Sequence, residues 1–213
     1  MNYEAVFIDW DGTLSNSRFW ERWRDDPTMQ SRYAKIQSAL FESATGKHMV
    51  KDWMTGSRTS SRILSQLSKD TGIDYVELED ELIYSAEHMR FIDEGALASI
   101  QRLRDAGKHV VLATDNMDIF DKWTVPALNL NDHFDDILNS YTLQKLKKDV
   151  HPVYIRSEFF YRYLEKMSIR KEDSVIIDDS IDVGILESIG MNFMHVTDER
   201  PLTYHLDALL ENE

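Results

Sequence analysis

The sequence predicts an α/β protein, with a parallel sheet covered by helices on both faces and an all-helical block inserted into it. Three observations carry that prediction. From residue 91 onward, short apolar runs alternate with helical periodicities, the pattern of repeated strand and helix units. A similar apolar run, Val6-Phe7-Ile8, lies near the N-terminus. Between them, residues 16–90 carry many Arg, Glu, Ser and aromatic residues at helical spacing and almost no β-branched runs, so strands are not expected there.

The first expected strand spans residues 4 to 9 and ends at Gly12, which tolerates backbone angles that other residues avoid. In the inserted block the periodicity predicts helices over Phe19 to Arg24, Met29 to Ser43, His48 to Met54, Thr59 to Thr71 and Tyr75 to Arg90. They are separated by Pro27, Gly46, Gly56 and Gly72. Thr59-Ser60-Ser61, ahead of Ile63, Leu64 and Leu67, is a plausible helix start. Downstream, strands are expected at His109 to Ala113, Asp136 to Leu138, Ser174 to Ile177 and Asn192 to Val196. Helices are expected at Glu94 to Ala106, Asp118 to Leu128, Val153 to Lys166, Val183 to Ile189 and Leu202 to Leu210. Such alternation implies right-handed crossovers. The first strand belongs to the same sheet, so the expected domains are a core over 1–15 and 91–213 and a helical domain over 16–90.

Composition narrows the function classes. A chain of 213 residues with 42% hydrophobic content can bury a core and carry an insertion. Its 24 Lys plus Arg against 38 Asp plus Glu give a net charge of -14, which repels nucleic-acid phosphates and anionic membranes. Neither is an expected partner; a small molecule is, and the chain is expected to be a monomer or homodimer. With no cysteine there is no disulfide, thiol nucleophile or thiolate metal ligand. No basic segment leads into an apolar stretch near the N-terminus, and no 18-residue apolar run occurs. The expected location is cytoplasmic.

The chemistry gathers at strand ends, where ligands sit in open α/β sheets. Asp9-Trp10-Asp11-Gly12-Thr13 places two carboxylates, two residues apart, where the first apolar run breaks into a turn. Asp-Gly is also an ordinary turn signal, so the reading depends on the other loops. Val110-Val111-Leu112-Ala113-Thr114-Asp115-Asn116 ends a second strand in a hydroxyl, an acid and an amide, groups that bind phosphate oxygens or cap a helix. Lys145-Leu146-Lys147-Lys148 is the densest cationic cluster in the chain. Ser174-Val175-Ile176-Ile177-Asp178-Asp179-Ser180-Ile181-Asp182 delivers acids at the end of another apolar run. Two carboxylates about 4 Å apart repel by roughly 4 kcal/mol at an effective dielectric of about 20. A shared cation removes that cost, and oxygen-only ligands suit Mg²⁺, which in turn invites phosphate. The twelve-residue calcium loop pattern is missing, because Gly12 directly follows Asp11.

In this order, the four loops resemble the motifs of the haloacid dehalogenase superfamily of Asp-nucleophile phosphatases and phosphotransferases, whose core is Rossmann-like. Phe7 to Thr13 is similar to the first motif, Leu112-Ala113-Thr114 to the second, the lysines at 145–148 to the third, and Ile176 to Ser180 to the fourth. The helical block stands where many members carry a cap. The resemblance implies Asp9 as the nucleophile. It implies Asp11 as the acid and then base, its backbone carbonyl helping to hold Mg²⁺. Thr13, Thr114 and the Asp115 N–H would support phosphate oxygens. Asp179 would ligate Mg²⁺ directly, Asp178 through water, and Asp182 would orient the surrounding shell. The third motif departs from the usual Lys-Pro-Asp by reading Lys147-Lys148-Asp149; counting from Phe134 favours Lys147, with Lys148 next.

Asp11 also discriminates among relatives, since dehalogenases of this superfamily lack an acid two positions after the nucleophile. The expected function is therefore a Mg²⁺-dependent phosphatase acting on a small phosphorylated metabolite through a phospho-aspartyl intermediate. The alternatives are a phosphomutase of the same superfamily, a non-catalytic ligand-binding or regulatory protein, and a structural subunit using its helical block as an interface. Arg18, Arg22, Trp23, Trp53 and Arg58 are the candidates for substrate contact from the block. Arg58 is preferred, because Gly56-Ser57-Arg58 is a turn that would aim a cation at substrate.

Overall fold

A computed structural model of the protein describes residues 3–180 and 189–211. Its sheet comprises β1 (Ala5–Ile8), β2 (His109–Thr114), β3 (Asp136–Asn139), β4 (Ser174–Asp178) and β5 (Asn192–His195), in the order β3-β2-β1-β4-β5. All neighbours are parallel, and Ala5 is in register with both His109 and Ser174. The fold class is the α/β one read from the sequence. Because β1 lies in the middle, the chain builds outward on one side through β2 and β3 and then crosses to β4. The crevice at the carboxyl ends of β1 and β4 is the switch point where such sheets bind ligands.

Burial on both faces explains the continuous apolar runs of the strands. Val6, Ile8, Val110, Leu112, Val175 and Ile177 face one way, against Ile100, Leu103, Phe120 and Leu206. Ala5, Phe7, Val111, Ala113 and Ile176 face the other way, against Phe159, Phe160, Tyr163 and Leu164. The first layer is supplied by helices Gly95–Asp105 and Leu202–Glu211, and the second by helix Tyr161–Met167.

Between β1 and β2 the chain is helical, at Glu21–Asp25, Gln30–Gln37, Ala44–Met54, Ser60–Thr71 and Tyr75–Glu87. These helices have their own apolar cluster, including Trp20, Trp23, Ile36, Leu40, Trp53, Leu64, Leu67 and Leu82, joined by Ile119 from the sheet domain. The strand after the block is reached through two connecting segments that bond to each other. Ser15 Oγ donates to the Arg90 carbonyl at 2.7 Å, and the Arg90 N–H donates to Ser17 Oγ at 3.0 Å.

Several elements differ from expectation. The helix expected over Met29 to Ser43 ends its α-winding at Gln37 and continues as a π-turn over Ser38–Glu42. Gly46 packs so closely on that turn that a Cβ would lie 2.1 Å from the Ala39 carbonyl oxygen, a close approach that a larger residue would obstruct. The helix expected over Asp118 to Leu128 is present from Asp118 to Ala127, but its middle, Phe120–Thr124, is wound as π rather than α. The helix expected from Val153 starts at Tyr161 instead. Upstream of it Val150 and Ser157 form an isolated antiparallel bridge, and Ser157 Oγ accepts the Phe159 and Phe160 N–H groups at 3.2 and 3.0 Å. Local side-chain bonds of this kind offer the backbone an alternative to helix. Asp182 and all but the last residue of the helix expected over Val183 to Ile189 lie outside the described residues.

Candidate active site

Three strands deliver the site. Asp9 follows β1, Thr114 ends β2, and Asp178 ends β4, so parallel pairing brings separated segments of the sequence to one edge. Asp9 and Asp178 are 4% and 0% exposed, and Lys147 is 7% exposed. The Lys147 ammonium lies between them, 2.7 Å from Asp9 Oδ1 and 2.5 Å from Asp178 Oδ2. Lys147 is held from behind, since its N–H donates to Asp115 Oδ1 at 2.9 Å. Lys148, one residue on, is exposed. The tertiary structure thus separates two lysines that the sequence left side by side.

Burial sets the charge state of this cluster. Desolvation holds the Asp9 carboxyl above its ordinary value, with Asp178 adding to the rise and Lys147 opposing it. Burial by itself would favour a neutral Lys147, but the surrounding Asp9, Asp178 and Asp115 carboxylates reverse this and raise it overall. Desolvation likewise raises Asp115, against the pull of Lys147.

Asp9, Asp178 and Asp179 each present a carboxylate oxygen within 4.8 Å of the others. Asp179 Oδ1 is buried without a hydrogen-bond partner among the described residues, whereas Asp178 Oδ1 accepts the Ser180 N–H at 2.8 Å. This oxygen-only set, with a buried acceptor left over, fits a hard divalent cation. Gly12 makes the packing possible. At φ +75° it faces the Asp179 carboxylate, and a Cβ would lie 2.1 Å from Asp179 Oδ2. The Asp179 backbone carbonyl is 2.8 Å from His195 Nε2, and the His195 carbonyl is 2.9 Å from His205 Nε2. Sequence reading did not pick out these two histidines; only the β4–β5 pairing and the last helix bring them to Asp179.

Thr13 Oγ1 and Thr114 Oγ1 are also buried without partners among the described residues. Two such hydroxyls are costly to bury unless something accepts or donates to them, and both belong to the loops that supply Asp9 and Asp115. Asp11 behaves differently. Its side chain is 60% exposed and ion-paired with Arg18. Its surroundings nevertheless desolvate the carboxyl enough to raise it, with Arg18 opposing and Asp179 reinforcing. The Asp11 carboxylate is not among the three clustered acids.

A cavity of about 530 Å³ opens beside Asp11 and runs into the helical block, lined also by Arg18, Asp115 and Asn116. Trp53 lines it; Arg58 does not. Arg58 is exposed, pairs with Asp52 at 3.1 Å, and lines separate cavities with residues such as Thr45 and Met49. Arg22 bonds buried Glu81, through Nε at 2.8 Å, and Trp23 packs in the block's own core. Of the arginines singled out in the sequence, Arg18 is the one brought to Asp11 and the cavity beside it.

At one switch point the fold thus gathers a buried carboxylate, a buried ammonium and three acids able to share a divalent cation, with Asp11 beside them. The chain belongs to the haloacid dehalogenase-like hydrolase family, whose model matches residues 3–187. It is similar in fold to the HAD family enzyme BT-2542 from Bacteroides thetaiotaomicron, with 18% identity, a TM-score of 0.70 and coverage of 92% of this chain and 95% of that one. The same enzyme has been solved in complex with magnesium and inorganic phosphate, at a TM-score of 0.64, 18% identity and the same coverages. L-2-haloacid dehalogenase from Xanthobacter autotrophicus, with chloropropionic acid covalently bound, is similar at 16% identity and a TM-score of 0.62, covering 92% of this chain and 80% of that one. No match was found among curated proteins.

Proposed function

We propose that this protein is a magnesium-dependent phosphatase that hydrolyses a small phosphorylated metabolite through an aspartyl-phosphate on Asp9. The observation that carries the reading is the pairing of the Asp9–Lys147–Asp178 cluster with Asp11, two residues beyond the nucleophile and free of the acid triad. A dehalogenase has no phosphate leaving group to protonate and no use for an acid there. The magnesium and phosphate bound by a structurally similar family enzyme point the same way.

In this mechanism Asp9, Asp178 and Asp179 would hold Mg²⁺, which would neutralise phosphoryl charge. Lys147 adds a fixed positive charge beside Asp9, and the Thr13 and Thr114 hydroxyls, unpartnered among the described residues, meet phosphoryl oxygens. An Asp9 carboxylate oxygen attacks phosphorus, and the bond from phosphorus to the leaving oxygen breaks. Asp11, turning from Arg18, gives its proton to that oxygen and releases the alcohol. Ionised Asp11 then takes a proton from water, whose oxygen attacks phosphorus. The Asp9–phosphorus bond breaks, phosphate leaves and Asp9 is regenerated. The helical block, residues 16–90, acts as the cap that surrounds the leaving group. The absence of cysteine and of any membrane-length apolar helix among the described residues is consistent with the proposed cytoplasmic location.

The test is phosphate release by purified protein with Mg²⁺ across a panel of phosphate monoesters, with Asp9→Asn as control. Release that disappears in Asp9→Asn, together with a metallofluoride adduct at Asp9, supports the reading. No release across the panel and no adduct overturn it, and transfer between substrate positions in place of release identifies a phosphomutase.

A further inference from the structure

We propose that the substrate is the phosphate monoester of an alcohol carrying a flat, largely apolar ring system, and that the cavity beside Asp11 holds that ring. The inference rests on the phosphatase reading, because a general acid must lie within hydrogen-bond reach of the leaving oxygen. If Asp11 protonates that oxygen, the alcohol lies in the space that Asp11 opens into. That space is the 530 Å³ cavity, well within the range of about 300–1,000 Å³ that holds ring-sized ligands.

Its walls are aromatic and offer few hydrogen bonds. Trp10, Phe19, Trp20, Phe41 and Trp53 line it. Phe19 stacks on Trp53 with centroids 6.3 Å apart, and Trp20 leans on Trp53 at 6.4 Å. Two of the three indole N–H groups are committed elsewhere, and the third, Trp10 Nε1, is buried without a partner among the described residues. Trp53 Nε1 donates to Ser60 Oγ and Asp118 Oδ1, both at 3.0 Å, and Trp20 Nε1 donates to the Leu78 carbonyl at 3.1 Å. Of the two cations here, Arg24 is committed to Glu21 and Asp25, while Arg18 pairs with Asp11 until that acid turns to the leaving oxygen. A polyhydroxylated sugar carries more hydroxyls than these few free polar groups satisfy, at about 1–3 kcal/mol for each one left buried and unpaired. A flat ring needs fewer partners and gains apolar contact with Phe19 and the exposed Phe41.

Two further features fit a ring with a few heteroatoms. Tyr33 and Gln37, four residues apart on helix Gln30–Gln37, reach the cavity together, and the Tyr33 hydroxyl and Gln37 amide have no hydrogen-bond partner among the described residues. Phe41, on the π-turn, is a large apolar side chain that stays 45% exposed while lining this cavity, and a bound ring would cover it. Turns of π geometry concentrate at functional sites.

The experiment compares 2-(1-naphthyl)ethyl phosphate with glycerol 3-phosphate and glucose 6-phosphate. All three leaving groups are alkyl alcohols, so intrinsic reactivity does not bias the comparison. The expected result is a kcat/KM for the naphthyl ester higher by about tenfold or more, with Phe41→Ala reducing that preference severalfold, mainly through KM. Equal or better hydrolysis of glycerol or glucose phosphate overturns the proposal and leaves the phosphatase reading standing. Calorimetric titration of the naphthyl ester into Asp9→Asn, and into wild-type protein without Mg²⁺, separates the two questions. Binding with a negative heat-capacity change but no turnover of any ester supports the ring site and removes the phosphatase reading; no binding and no turnover removes both.

Discussion

Gly12 and Asp179 are packed face to face, so that any side chain at position 12 would occupy the space of the Asp179 carboxylate. The turn that ends the first motif therefore also sets the position of an acid supplied by the fourth, across more than 160 residues of sequence. Gly12→Ala meets both a clash and a positive φ that costs an L-residue about 1–2 kcal/mol. Because Asp179 must move, the Mg²⁺ concentration needed for half-maximal activity is expected to rise by about 10–100-fold, the effect typical of losing support for a metal ligand. Magnesium titration of activity and of thermal stability checks this; an unchanged Mg²⁺ dependence in a folded variant counts against it.

Lys147 neutralises two buried carboxylates at once. Lys147→Met leaves Asp9 and Asp178 facing each other without an ammonium, a loss of about 3–5 kcal/mol for breaking a buried pair. Thermal unfolding without Mg²⁺ is expected to shift well below wild type, and added Mg²⁺ is expected to restore more stability to the variant than to wild type. Turnover should fall by at least about a hundredfold. Lys148→Met, which removes an exposed charge, should do neither.

Arg58 and Arg18 exchange the importance that sequence order assigned them. Arg58→Ala breaks only an exposed ion pair with Asp52, worth about 0–1 kcal/mol, so kcat and KM should stay within about twofold of wild type. Arg18→Ala removes the partner of Asp11 and one wall of the cavity, and is expected to change kcat/KM by more. Steady-state kinetics on the best ester decides; a large KM effect at Arg58 would place substrate in a different cavity.

His205 makes stability depend on pH. Burial lowers its pKa below the ordinary 6.5, with Arg200 adding to the fall and its bond to the His195 carbonyl opposing. The folded protein therefore resists protonation more than the unfolded chain. This contribution is complete above the unfolded pKa and is lost as pH falls below it, because the unfolded state then binds the extra proton. Between about pH 7.5 and about pH 5.5, the Tm of wild type should fall more steeply than that of His205→Asn. Parallel slopes would reject the assignment.

Much of the fold was legible because it rests on local regularities. Strands buried on both faces must be apolar throughout, so β1, β2 and β4 stood out as unbroken runs, and Gly72 punctuated the helices as capping chemistry demands. The element misjudged was one governed by local side-chain bonds: the segment before Tyr161 follows bonds to Ser157 rather than its own periodicity.

The site divides in the same way. By itself the sequence determined the acids, the threonines and the lysine cluster, because each belongs to a short pattern at the end of an apolar run. Only the tertiary structure chose Lys147 over Lys148, drew Arg18 rather than Arg58 to Asp11, gathered Asp9 with Asp178 and Asp179, and turned five separate aromatic residues into the wall of one cavity. Residue type and spacing fix what a loop is able to do, but which of two adjacent side chains is buried, and what it meets there, depends on segments far away in the chain that pack against it.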